Sequence, residues 1–85
     1  MSIYDLLEKI KTKKDFELFL GQLRIDLEKN KDEWENVTLK DFLEAMHAYT
    51  IDLEGFYKNM GIPFDSDNPD WKVFAQILTG AKVYE

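Results

Sequence analysis

The sequence predicts an all-α protein, a compact single-domain arrangement of four helices spanning residues 1–85. Three observations predict it. Apolar residues recur with the 3.6-residue period of one helix face in four separate segments. Each segment opens on a residue suited to an N-cap, namely Ser2, Thr12, Thr38 and Asn68. Cysteine is absent, so a chain this small must rely on helix packing in place of disulfide staples.

The first segment runs from Ile3 to Ile10, where Ile3, Leu6, Leu7 and Ile10 stand at i, i+3, i+4 and i+7 behind Ser2. The second covers Lys13 to Lys29, with Phe16, Phe19, Leu20, Leu23 and Leu27 as its stripe. Thr12 and Asp15 open it as a capping box, with Asp in place of the usual Glu. These are two helices, because at about 100° per residue a continuous one would carry Phe16 about 140° away from the first stripe.

The third segment runs from Leu39 to Met60 and starts on Thr38 and Asp41. Its stripe is Leu39, Phe42, Leu43, Met46, Thr50, Leu53, Tyr57 and Met60. Gly61 suits the left-handed residue that ends a helix, Ile62 its apolar contact, and Pro63 blocks continuation. The fourth runs from Pro69 to Val83, with Asn68 as N-cap and Pro69 at the first helical position. Trp71, Phe74, Ala75 and Leu78 share one face there, widened by Val73, Ile77 and Tyr84.

Phe16, Phe19, Leu23, Phe42, Met46, Leu53, Phe74 and Leu78 are expected in one core. Trp34 and Phe64, in the two longer connections, are expected to plug its ends. The second faces of the longer helices also carry apolar residues. Leu18 and Ile25 oppose the second stripe, while Ala45, Ala48, Ile51 and Gly55 lie away from the third. Either neighbouring helices cover these positions, or they form an exposed patch for a partner or a second copy.

Composition narrows the function. Seventeen acids against eleven Lys and Arg give a formal net charge of −6, which opposes nucleic-acid binding because phosphate contacts need cations. The basic cluster Lys9, Lys11, Lys13 and Lys14 reads as a solvated turn. The N-terminus has acids at Asp5 and Glu8 and no basic lead, unlike a secretory leader, and no apolar run approaches the roughly 20 residues of a membrane span. A cytoplasmic location with no membrane association is the expectation.

The residues that carry chemistry form no catalytic pattern. The single histidine, His47, lacks the companions a zinc site needs. The stretch Asp65-Ser66-Asp67-Asn68-Pro69-Asp70 begins like a calcium loop, but Asp70 stands where glycine is required and Gln76 where the bidentate glutamate belongs. Ser2 and Ser66 lie far in sequence from His47, and the glycines are scattered at 21, 55, 61 and 80 with no phosphate loop. The acids read as solvent-facing. No catalytic residue, metal or cofactor is expected.

The stretch Trp34-Glu35-Asn36-Val37-Thr38-Leu39, followed by Phe42-Leu43-Glu44-Ala45-Met46, Tyr49, Asp52 and Gly55-Phe56-Tyr57-Lys58-Asn59, resembles an uncharacterised family of short bacterial proteins, a domain of unknown function. The ending Trp71, Phe74-Ala75, Ile77-Leu78 and Tyr84-Glu85 resembles it too. Tyr49 departs mildly from it, standing where an aromatic such as Trp is expected. The resemblance implies no activity and supplies no catalytic residue. It implies that Trp34–Asn36 and Asp52–Asn59 matter to these proteins. Read physically, Asn36 suits a turn, Thr38 a cap and Trp34 a cover for the core end.

The leading functional expectation is a non-enzymatic protein–protein interaction module of the adaptor or immunity type, a monomer or weak homodimer with an acidic helical surface for a basic protein partner. The candidate surface comprises Glu35, Asp41, Glu44, Tyr49, Asp52, Phe56 and Asn59, with Tyr49 or Phe56 as the aromatic anchor. The alternatives are a helical subunit that dimerises or completes a larger complex, and an enzyme with a carboxylate site of no familiar pattern.

Overall fold

Side-chain caps decide where each helix begins. In the computed structural model, which describes residues 2–84, four α-helices follow one another: α1 (Ile3–Glu8), α2 (Lys13–Lys29), α3 (Leu39–Asn59) and α4 (Trp71–Val83), with a short 3-10 turn at Lys31–Glu33. Ser2 Oγ accepts the Asp5 N–H and the Asp5 carboxylate accepts the Ser2 N–H, a reciprocal box. Thr12 and Asp15 repeat it on α2, where the Asp15 carboxylate also takes the Lys11 N–H at 2.9 Å. Those backbone donors, Lys11 first and Thr12 next, hold the Asp15 carboxyl below the usual carboxylate range. Thr38 caps α3 by accepting the Asp41 N–H at 3.1 Å. Gly61 ends that helix at φ 70°, a conformation a β-carbon disfavours, and the Ile62 N–H returns to the Tyr57 carbonyl at 3.0 Å.

The start of α4 corrects the sequence reading. Asp70, not Asn68, is the N-cap, its carboxylate accepting the Val73 N–H at 3.0 Å, and Pro69 lies before the helix. Asn68 is engaged elsewhere: its side chain donates to the Asp65 carboxylate, which also accepts the Asp67 N–H and is held below its ordinary pKa by these bonds, Asn68's first. At the other end of the chain α1 stops at Glu8, two residues early, although Ile10 is still buried.

Helix α4 is the element on which the others converge. It packs along α3 on one side and against α1 and α2 on the other, whereas α2 and α3 barely touch. The expected single core is therefore two clusters. One joins Ile3, Leu7, Ile10, Phe19, Leu23, Trp34 and Ala75, with Phe16, Leu27, Phe42 and Leu78 packed around it. The other joins Tyr49, Leu53 and Val73, with Phe56, Tyr57, Phe64, Ile77 and Tyr84. Met46 is half-buried and Phe74 is exposed, so neither is a core residue.

The buried face of α3 is rotated from the one expected. Ala45, Tyr49 and Leu53 are buried, while Leu39, Leu43 and Met60 of the expected stripe are exposed. The cause lies on α4. Gly80 has no β-carbon, and the ring of Tyr49 fills the space one would occupy. With α4 as its one extensive neighbour, α3 buries the side centred on Tyr49 and leaves the adjoining leucines out. Leu18 and Ile51 are likewise exposed, whereas Ile25 and Ala48 are half-buried and Ala45 is buried, so neighbours cover those second faces only in part.

Candidate functional site

The Trp34-Glu35-Asn36 stretch is a bracket that fixes the end of α4 to the end of α2. The Trp34 indole N–H donates to the Asp26 carboxylate at 2.8 Å, and the Asn30 side chain donates to the other oxygen at 2.9 Å. Lys82, 2% exposed, reaches the same carboxylate at 3.0 Å, with its ammonium 5.4 Å from the centre of the Tyr4 ring and 5.6 Å from that of Trp34. Burial pushes the Asp26 carboxyl up, but the bonds from Asn30, Trp34 and Lys82 and the charge of Lys82 together outweigh it, so its pKa is lowered. Asn36 does more than the turn expected of it. Its side-chain amide donates to the Ala81 and Tyr84 carbonyls at 2.9 and 2.8 Å, and the Glu35 and Asn36 N–H groups donate to the Lys82 carbonyl. These bonds satisfy carbonyls that a helix C-terminus leaves without intrahelical partners.

Held in this way, the α2–α3 connection stands off from α2 and leaves an apolar cleft. Leu20, Leu23, Arg24 and Leu27 form one wall, Val37, Thr38, Leu39 and Phe42 the other, and Trp34 and Asn36 close the end. Its volume is about 420 Å³. Trp34 and Phe42 stack with centroids 6.1 Å apart and build its inner surface. Leu39 is 73% exposed, and Leu43, one turn along the same edge of α3, is 51% exposed. Leu20 and Val37 are exposed on the rim. On α4, Phe74 falls at 100° per residue between the α2-facing Leu78 and the α3-facing Ile77. It therefore extends the apolar surface between the two helices. Its ring meets Phe16 and Trp71 at 6.4 and 5.8 Å.

The candidate acidic surface is only partly assembled. Glu35, Asp41, Glu44 and Asn59 are exposed. Asp41, Asp52 and Asn59 fall within about 20° of one another on the flank of α3 turned away from the cleft, with Glu44 about 60° further round. Asp41 and Asp52 are about 16 Å apart along the axis, so they share a face without converging. Tyr49 is not on this surface. It is buried against α4, its hydroxyl accepting from the Gln76 side chain at 2.8 Å. Phe56 is half-buried with its ring 4.9 Å from Tyr49 and 5.9 Å from Tyr84. The acidic flank thus lacks the aromatic anchor expected of it. Asp52 accepts a hydrogen bond from the Tyr84 hydroxyl, and that bond, with burial and the Asp52 charge, pushes the Tyr84 pKa up.

Among the described residues, no three of His, Asp and Glu gather as a metal-binding group, and no helix is long and apolar enough to cross a membrane. Leu20 and Leu39 of the cleft, and the exposed Leu43 and Phe74 outside its lining, escape a reading from sequence because their spacing assigns them to the core. The available signal was an excess: α3 carries two adjoining apolar stripes, one through Leu39, Leu43 and Met46 and one through Ala45, Tyr49 and Phe56, and one neighbouring helix cannot bury both.

Neither a curated protein nor a solved structure is similar enough to the chain to match it. A family model does match, over residues 12–85, a span that takes in the Trp34–Asn36 bracket and both walls of the cleft. The chain belongs to the family of unknown function DUF7660.

Proposed function

We propose that this chain is a non-enzymatic protein–protein interaction module, cytoplasmic, whose docking site is the cleft between α2 and α3. The observation that carries the reading is the row of exposed leucines, Leu39 and Leu43 beside Leu20, along an apolar cleft with no acid in its lining. Water against such a row is costly, at roughly 25 cal/mol for each Å² of apolar surface, and contiguous exposed apolar patches mark protein contact sites. The acidic flank of α3, with Asp41 and Glu44, has a separate part. Exposed carboxylates raise encounter rates with basic surfaces and repel nucleic acid, while an apolar anchor supplies most of the affinity.

Site-specific photo-crosslinking in cells tests this. A photoreactive residue at Leu39 is expected to give protein adducts, and one at Ile51, exposed on a different side of α3, is not. Equal labelling at both positions, or none at Leu39, overturns the proposal.

A further inference from the structure

We infer that the partner seated on this cleft is a second copy of the chain, joined across a two-fold axis. This rests on the cleft being a docking site and names its occupant.

The first argument is area. The chain exposes 6048 Å², whereas a compact monomer of 10.1 kDa is expected to expose about 5,300 Å². The excess, roughly 750 Å², is close to the ~800 Å² each partner contributes to a standard interface. The molecule is also thin in one direction. The Cα extents are 33 × 27 × 18 Å. Packed helix axes lie about 8–10 Å apart and the Cα cylinder is about 4.6 Å across, so three helix layers would need roughly 21–25 Å between outermost Cα atoms, and 18 Å leaves too little depth to cover α4 on both broad faces. On one of them α2 and α3 diverge, leaving the cleft.

The second argument is self-complementarity. A two-fold interface brings a patch against itself, so the patch must carry both a projection and a recess. This one does. Leu39 and Leu43 project from the edge of α3, and the recess formed by Leu23, Leu27, Trp34 and Phe42 lies beside them. Each copy can place its leucine edge in the other's recess.

The third is charge. The chain carries −6, so two copies repel, and they meet best where acids are missing. Arg24 is the one charged residue lining the cleft, while Asp41, Glu44 and Asp52 point from the other flank of α3. A basic partner has the reverse preference. The two occupants therefore differ in salt response: screening strengthens a dimer of like-charged copies and weakens a complex with a basic protein.

Sedimentation equilibrium of the purified full chain, from micromolar to millimolar concentration at low and high salt, tests the inference. A species of twice the monomer mass is expected, more populated at high salt. Leu39→Glu with Leu43→Glu should weaken the association on the order of 100-fold or more, as loss of central anchors does. Both side chains are exposed, and a glutamate at the first position of α3 favours the helix, so the circular dichroism spectrum should be unchanged. Leu18→Glu with Ile51→Glu, at exposed apolar positions outside the cleft, should leave the dimer intact. A chain that stays monomeric throughout overturns the inference, as does a dimer that survives the cleft variant or is lost in the control. A monomer that still gives Leu39 adducts with a different protein in cells overturns the second copy alone. A monomer with no Leu39 adduct overturns the docking site as well.

Discussion

The ring of Tyr49 occupies the space where a β-carbon on Gly80 would stand, and this pair sets how α3 lies on α4. A methyl group there meets the body of a buried ring that is also held through its hydroxyl by Gln76. Gly80→Ala should therefore destabilise the protein by about 1–3 kcal/mol, the usual cost of overpacking, despite the helix propensity that alanine gains. Gly55 is the control. It sits inside α3 with nothing within 4 Å of an added β-carbon, so Gly55→Ala should stabilise by roughly 0.5–1 kcal/mol. Urea unfolding of the two variants gives both signs. A neutral or stabilising Gly80→Ala would refute the close approach.

Asn36 should matter to stability more than its loop position suggests. Its amide donates to two carbonyls at the end of α4, and alanine leaves both to find other partners. Asn36→Ala is expected to cost about 1–3 kcal/mol. Asn36→Asp should be worse than Asn36→Gly at neutral pH, because it turns a carboxylate toward carbonyl oxygens and the negative end of the helix dipole. Thermal unfolding at neutral pH ranks the three. Aspartate equal to or better than glycine would show that the amide is not holding that helix end.

What was legible in the sequence follows from how local each determinant is. Ser2, Thr12 with Asp15, Thr38 with Asp41, and Gly61 all act within one helical turn, and each stands where the sequence puts it. Asn68 misled because Asp70, two residues on, is an equally good cap, and the Asp65 turn takes the Asn68 side chain. The buried face of α3 was not legible, because Gly80 on another helix selects it. For the same reason spacing on α3 alone puts Tyr49 and Phe56 on the surface and Leu39 and Leu43 in the buried stripe, the reverse of what the structure shows for Tyr49, Leu39 and Leu43. Asp41, Asp52 and Asn59 share one flank of α3 because that is a matter of spacing on one helix, whereas Tyr49 is buried against α4 and Phe56 is half-buried beside it.

The two kinds of apolar residue can be separated by mutation. Phe19 is fully buried in the cluster around Leu23 and Ala75, and Phe19→Ala should cost about 3–5 kcal/mol. Total stability for a chain of this length is about 4–13 kcal/mol, so this variant should lose between roughly a quarter and all of it. Leu39→Ala, at an exposed position, should change monomer stability by no more than about 0.5 kcal/mol. Unfolding at concentrations too low for self-association makes the comparison. A large loss at Leu39 under those conditions would mean that the cleft edge is core.

The Asp26–Lys82 pair should appear in the acid limb of the stability curve. Asp26 is paired at 3.0 Å with an ammonium group that is almost wholly buried, and it is also hydrogen-bonded by Trp34 and Asn30. Its pKa in the folded chain is below the ordinary value. A depressed carboxylate pKa gives stability that is fully present above the unfolded-state pKa, about 3.9, and is lost as pH falls through the folded-state value. Asp26→Asn removes that dependence and leaves the Lys82 ammonium without its counter-charge, at a cost of about 3–5 kcal/mol near neutral pH. Asp15, Glu17 and Asp65 also have lowered pKa values, but they are present in both proteins and cancel from the difference. The stability gap between wild type and Asp26→Asn should therefore be constant from neutral pH down to about 5, then narrow progressively below about 4. Urea unfolding of both proteins across this range measures the gap directly. A gap that stays constant to the lowest pH at which wild type folds would mean that the Asp26 carboxylate does not hold Lys82 in the interior.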